Sequence, residues 1–193
     1  MTSIIGYLNN KTVYLASSLA SEYCGIRKTE RFRDNYPIRR LRNGVLLGFV
    51  GNRALKQIIF ANSRIFNLDK NKKLSKEHIV CEIIPRLYGL IKSNNSGIAK
   101  SDCDEFEGAI IIAYKDMMFK IYGDFVVVRC TDYVSVGKEA SFFKPYLTGI
   151  DKNKNIEEQL IGCLNNVSIN TDCIRPPYIT INTNCLEFNL VEE

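Results

Sequence analysis

Thr2 is the residue with the most specific chemistry to offer. A threonine at a free chain terminus carries its own base, because the α-amine can take the proton of the side-chain hydroxyl before that hydroxyl attacks a carbonyl. The chemistry requires that Met1 be removed and that Thr2 be held rigidly. Other nucleophile systems are poorly served. His78 is the one histidine, so any Ser-His or Cys-His mechanism would depend on it, and the helical pattern around it predicts a surface turn. The seven cysteines, at 24, 81, 103, 130, 163, 173 and 185, are odd in number and contain no CxxC pair. They give zinc no ligand pattern, and no metal or cofactor is expected. Seven basic residues, Arg27, Lys28, Arg31, Arg33, Arg39, Arg40 and Arg42, fall within a short stretch. They could contact phosphates, but only Phe32 and Tyr36 lie nearby for base stacking. A solvated surface, or one that meets an acidic neighbour, is the preferred reading.

Thr2 stands at the head of what reads as a strand. Ser3 to Leu8 is apolar and β-branched, Asn9-Asn10-Lys11 has turn chemistry, and Thr12 to Ala16 is apolar again before Ser17-Ser18. The pattern predicts a hairpin. Its first strand is expected at the centre of a sheet, since both of its faces are apolar. With 193 residues and 46% hydrophobic content, the chain is read as one domain spanning 1–193, large enough for a sizeable core. No apolar run is long enough to cross a bilayer, and the N-terminus lacks a basic region and a small-residue cleavage site. No membrane partner and no leader are therefore expected, and the thiols are expected to be reduced.

The remaining elements follow in order. Glu22 to Asn35 is polar and reads as an irregular loop or exposed hairpin ended by Pro37. Ile38 to Leu41 is short and basic, and Val45 to Val50 reads as a buried strand. Asn52 is a plausible N-cap for a helix whose stripe is Leu55, Ile58, Ile59, Asn62 and Phe66. Ser75 can cap a second helix with the stripe Ile79, Ile83, Leu87, Leu90 and Ile91, which Pro85 should kink or interrupt. Asn94 to Glu105 reads as a loop. Ala109 to Tyr114, Met117 to Ile121 and Phe125 to Arg129 read as an antiparallel meander. A helix is expected over Lys138 to Tyr146, and another over Ile156 to Val167, opened by Asn155. Tyr178 to Ile181 and Leu186 to Leu190 read as the final strands. Strand runs alternating with helix pairs indicate the α+β class.

In this arrangement the chain resembles the proteasome family of N-terminal-nucleophile folds. The resemblance rests on the strand beginning at the N-terminus, Leu15 to Ser18 closing the hairpin, and Leu47 to Gly51 leading into a helix. The strands Ile110 to Arg129 and the stretch Val134 to Ala140 add to it. It runs the length of the chain in order, without a large insertion. It implies a four-layer αββα sandwich of two antiparallel sheets with a helix pair on each side. Met1 to Gly6, Tyr14 to Ser18, and Ile156 to Leu160 with Cys163-Leu164 are most similar to the non-catalytic beta type-4 subunit of the eukaryotic 20S core.

The resemblance also implies a test of activity. A catalytic member needs the free threonine, an aspartate ending the second strand, a lysine near the start of the next, a serine before a glycine in the later loop, and a late aspartate. Together these orient and tune the amine and hydroxyl. The matching positions here are Thr2, Ser18, Pro37 or Ile38, Val136 and Ser168, and Gly51 matches the oxyanion-hole glycine. No catalytic residue is therefore assigned, and a structural subunit is expected. It would sit with other alpha and beta subunits in a hetero-oligomeric four-ring barrel, in cytoplasm and nucleus. Phe142, Phe143 and Tyr146 are expected as exposed apolar contacts. The alternatives are an active threonine protease using Thr2 with Gly51, and a basic nucleic-acid-binding module.

Overall fold

The computed structural model describes residues 2–23, 26–29, 36–68, 73–94, 105–171 and 174–192, with 21–23 and 26–29 described by their backbone. Met1, Arg31, Phe32, Arg33, Cys24, Cys103, Cys173 and most of the expected loop between Asn94 and Glu105 lie outside the described residues.

The first hairpin is β1 (Ile4–Asn9) and β2 (Thr12–Ser18), paired antiparallel from Ile4↔Ser17 to Asn9↔Thr12. Asn10 and Lys11 take positive φ at its turn, where Asn tolerates the left-handed region. Beyond it, β3 (Ala20–Tyr23) and β4 (Ile26–Thr29) pair as a small hairpin of their own. The stretch expected as a loop or hairpin is thus partly a hairpin. Next come β5 (Ile38–Arg40), β6 (Leu46–Gly51) and α1 (Arg53–Ala61). Asn52 caps α1, accepting from the Ala54 and Leu55 amides. The helix buries Leu55, Ile59 and Phe60, while Asn62 ends it and Phe66 is buried from a following 3₁₀ turn, Ser63–Phe66.

The second helical stretch consists of α2 (Lys76–His78), a π turn (Ile79–Ile83) and α3 (Ile84–Ser93). Pro85 does not interrupt it. The π turn sets the Ile84 amide on the Ile79 carbonyl, and Pro85 falls in the first turn of α3, where a missing N–H costs least. The meander is β7 (Gly108–Tyr114), β8 (Met117–Ile121) and β9 (Val127–Cys130), followed by β10 (Tyr133–Val136). The expected helix over Lys138 to Tyr146 is a 3₁₀ turn at Ala140–Phe143 and then α4 (Lys144–Thr148), because Pro145 suits a first helical turn and not an interior. α5 (Ile156–Asn170) is capped by Asn155, and β11 (Tyr178–Asn182) and β12 (Asn189–Val191) close the chain. The last strand is shorter and later than expected, and Leu186 stays exposed ahead of it.

Two five-stranded antiparallel sheets result, ordered β10-β1-β2-β11-β12 and β5-β6-β7-β8-β9. β1 lies inside the first sheet, and alternation sends its side chains into two different layers. Ile4 packs between the sheets with Leu46, Ile111, Met118 and Val136. Ile5 and Tyr7 pack on the other side with Phe143, Leu147, Leu160 and Leu164 of the α4–α5 region. The third core lies between the second sheet and the α1–α3 region, with Phe49, Ile110 and Phe119 against Leu55, Ile83 and Leu87. Three apolar cores separate four layers, so the fold is an α+β αββα sandwich. Gly6 has a packing reason at the sheet interface. A Cβ there would stand 2.8 Å from Leu15, 2.9 Å from Met118 and 2.9 Å from Val134.

Two side chains depart from the sequence reading. Phe143 is fully buried rather than exposed, because the 3₁₀ turn rotates it onto α5, whereas Phe142 and Tyr146 remain 55% and 37% exposed. The His78 side chain is only 9% exposed, with Nδ1 3.4 Å from Glu82 and a buried Nε2 without a partner among the described residues.

Candidate active site

Thr2 lies two residues before the start of β1, on the inter-sheet side by the strand's alternation. Its hydroxyl donates to the carbonyl oxygen of Ser18 at 2.8 Å. The end of β2 therefore meets Thr2 through the main chain. The Ser18 hydroxyl is spent elsewhere. It donates to the Arg175 carbonyl at 2.5 Å and accepts from the amides of Ala20 at 3.1 Å and Arg175 at 3.2 Å. Ser18 thus ties together the end of β2, the start of β3 and the approach to β11.

The other matched positions contribute no charge. Pro37 is buried and its carbonyl accepts from the Phe49 amide at 2.9 Å. Ile38 and Val136 belong to the inter-sheet core, Val136 facing Ile4 in the strand register. Ser168 is on the last turn of α5, where its hydroxyl bonds the Asn165 carbonyl at 2.7 Å. Gly51 ends β6 opposite Gly108 with φ +148, a conformation reserved for glycine. The structure brings Thr2 and Ser18 into contact and leaves the side chains of Ile38, Val136 and Ser168 committed to packing or to helix carbonyls.

Three residues near Thr2 escaped the sequence reading. Ser3, fully buried, donates from Oγ to Glu139 Oε2 at 2.9 Å, and Glu139 is itself only 3% exposed. The turn carrying Glu139 presses against the N-terminal strand. Gly137 has φ +118, and a Cβ there would meet Ser3 Oγ at 2.4 Å and the Thr2 carbonyl oxygen at 2.7 Å. Arg175 is the third. Its guanidinium donates to the Ser168 carbonyl, and to the Ile174 carbonyl at 3.2 Å, so it serves the negative end of α5. Burial pushes the Tyr178 phenol up, and the Arg175 charge opposes the shift. A glutamate inside the stretch Val134 to Ala140, and an arginine before a Pro-Pro pair, have no motif value of their own; their partners are 136 and 157 residues away in the chain.

A cavity of about 370 Å³ opens between the ends of the two sheets. Val50, Ala109, Val136 and Ala140 make it apolar, and Lys120 and Lys138 make it basic. Among the described residues no cluster of three or more His, Cys, Asp or Glu is placed to hold a metal ion, and no helix is long and apolar enough to cross a membrane.

No protein-family model and no curated protein matches the sequence. Solved structures do match the fold. BPH from Thiobacillus denitrificans superposes with a TM-score of 0.73 at 13% identity, over 93% of this chain and 96% of that one, and a second BPH structure is a complex with epoxomicin. Anbu, an ancestral beta-subunit, from Yersinia bercovieri gives 0.69 at 11% identity, over 99% and 87%. HslV from Trypanosoma brucei gives 0.63 at 16% identity, over 93% and 98%. The fold is therefore that of the proteasome-like N-terminal-nucleophile hydrolases.

Proposed function

We propose that this chain is a structural, non-catalytic beta subunit of a 20S proteasome core particle, most similar to the beta type-4 position. The observation that carries the reading is the Thr2 hydroxyl hydrogen-bonded to a main-chain carbonyl, at a site whose matched positions hold serine, proline or isoleucine, and valine. A nucleophilic hydroxyl needs a base and a charged environment to move its proton cheaply. In this reading the chain completes a beta ring, contacts other alpha and beta subunits, and works in cytoplasm and nucleus. A ring is built from heterologous contacts, one face against a different face of the next subunit. Exposed Phe142 and Tyr146 suit such contacts. An Anbu complex forms a helical assembly, which is in keeping with a fold that associates.

The active-protease reading has one specific observation in its favour. Thr2 is held at the head of an internal strand, and Gly51 ends β6 with a positive φ. One preparation tests both. The chain, tagged at its C-terminus, is purified natively from its own cells, sized, and weighed intact with whatever accompanies it. The structural reading expects a large particle containing other alpha and beta subunits, Met1 retained, and peptide hydrolysis unchanged in Thr2→Ala. A lone monomer or homo-oligomer would sink it. Loss of Met1, an epoxomicin adduct on this chain, and hydrolysis abolished by Thr2→Ala would establish the alternative.

A further inference from the structure

Lys120 is a charged residue on an apolar face. On β8 it stands opposite Ile111 of β7 in the strand register, and cross-strand partners share a face. Ile111 is fully buried in the inter-sheet core. The Lys120 side chain therefore points between the two sheets, into the layer that holds Leu46, Met118 and Val136, and it is half-buried there. Its ammonium finds no carboxylate among the described residues. It reaches the Ser135 carbonyl at 3.4 Å and lies 4.2 Å from the Tyr122 ring centroid. The acids close by in the chain fold are turned away. Glu139 faces inward onto Ser3 at 2.9 Å, and Asp124 accepts the Val126 amide at 3.1 Å. A partly desolvated ammonium without an anion is costly.

Lys120 lines the cavity of about 370 Å³ between the sheet ends, and exposed Lys138 lines it too. Both sheets contribute apolar wall. Val50 and Ala109 are partners across β6 and β7, Val136 comes from β10, and Ala140 from the 3₁₀ turn that follows. An apolar recess of roughly 300–1,000 Å³ with a few fixed polar groups is the usual form of a small-molecule site. The cavity shares Val136 with the positions matched to a catalytic member. It lies on the β7–β8 side of β6, however, whereas Pro37 and Ile38 lie on the β5 side.

The walls and charges define the ligand. Two ammonium groups and no lining carboxylate call for an anion. No arginine lines the cavity, so it lacks the bidentate fork that suits a phosphate. Aliphatic walls call for a hydrocarbon body beside the charge. We propose that the cavity binds a small aliphatic carboxylate, its hydrocarbon against Val50, Ala109, Val136 and Ala140 and its carboxylate on the Lys120 ammonium, with Lys138 at the mouth. Two sources offer this chemistry, a free branched-chain acid and the C-terminal residue of a short peptide. No neighbouring subunit is needed, so the site stands or falls apart from the ring-subunit reading.

The test uses N-acetyl photo-leucine, a leucine analogue with a side-chain diazirine and a free carboxylate. It is irradiated with the natively purified full chain, alone or in whatever particle holds it, and the labelled peptides are sequenced. Label is expected within 120–122 or 136–140. Excess N-acetylleucine should displace it, and the same excess of N-acetylleucine amide, which lacks the charge, should leave it in place. Lys120→Met should lower labelling at least about ten-fold, the loss of one charged contact. The comparison of acid with amide needs no variant, so it decides even where Lys120→Met does not fold. Isovalerate that competes as well as N-acetylleucine assigns the site to a free acid, and weaker competition assigns it to a peptide terminus. Label elsewhere, no label, equal displacement by the amide, or full labelling of folded Lys120→Met overturns the site.

Discussion

At the residue scale the N-terminal strand is fixed by a side-chain contact that no local pattern reveals. Ser3 and Glu139 are both buried and joined at 2.9 Å. Ser3→Ala removes the donor and leaves a carboxylate oxygen buried without it, which costs about 1–3 kcal/mol. Glu139→Gln keeps an acceptor for Ser3 and should cost less. Urea unfolding of the two variants measures the order, and equal or negligible losses would reject the clamp. A second prediction concerns pH. Burial pushes the Cys163 thiol up to about 11 from an ordinary value of 9.0. The folded state therefore holds its proton more tightly than the unfolded chain. This contribution is complete below pH 9 and is lost as pH rises through about 11. Unfolding curves between those values should show wild type losing stability relative to Cys163→Ala, and parallel curves would refute the assignment. Cys163 was legible as a core residue because it lies in the α5 stripe. Glu139 was not, because charge beside a turn ordinarily means exposure, and its burial depends on a strand at the other end of the chain.

At the element scale the caps and periods were informative. Asn52, Ser75 and Asn155 each cap the helix that the sequence opens there. Asn155 accepts from the Glu157 amide at 3.0 Å and the Glu158 amide at 3.4 Å. Asn155→Ala should cost about 1 kcal/mol and Asn155→Ser much less; identical thermal midpoints for the two would show that the cap is not stabilising. Pro85 misleads in an instructive way. Ile79, Ile83, Leu87 and Ile91 are all buried at four-residue intervals, whereas a straight α-helix repeats every 3.6 residues and would rotate such a series off one face. The wider π turn corrects that drift, and it also accommodates the proline. Both signals were present, but each alone has a commoner reading: an α-helical stripe and a helix break.

At the scale of the whole molecule, strand runs alternating with helix pairs indicated the α+β class, whereas the four layers were what the resemblance to the proteasome family implied. Which charged residues are free to meet a partner was not legible, since that depends on contacts between sheets. Arg39 and Arg40 illustrate it. In the sequence they belong to a basic cluster. In the structure Arg39 donates to the Phe60 carbonyl at 3.0 Å and stacks 4.9 Å from the Phe60 ring centroid. Arg40 reaches from β5 to the carbonyls of Asn182, at 3.4 Å, and Thr183, at 3.5 Å, at the end of β11. One guanidinium ties β5 to α1 and the other ties the second sheet to the first. A residue bound to phosphate would contribute about 0.9 to the slope of log affinity against log salt, so losing two such contacts would flatten it by about 1.8. The contacts here predict otherwise. Arg39→Ala with Arg40→Ala should leave the salt slope of any polyanion binding unchanged and lower the thermal midpoint by several degrees, since about 1 kcal/mol shifts a domain of this size by roughly 2–4 °C. A flattened slope with an unchanged midpoint would instead return these arginines to the surface and revive the nucleic-acid reading.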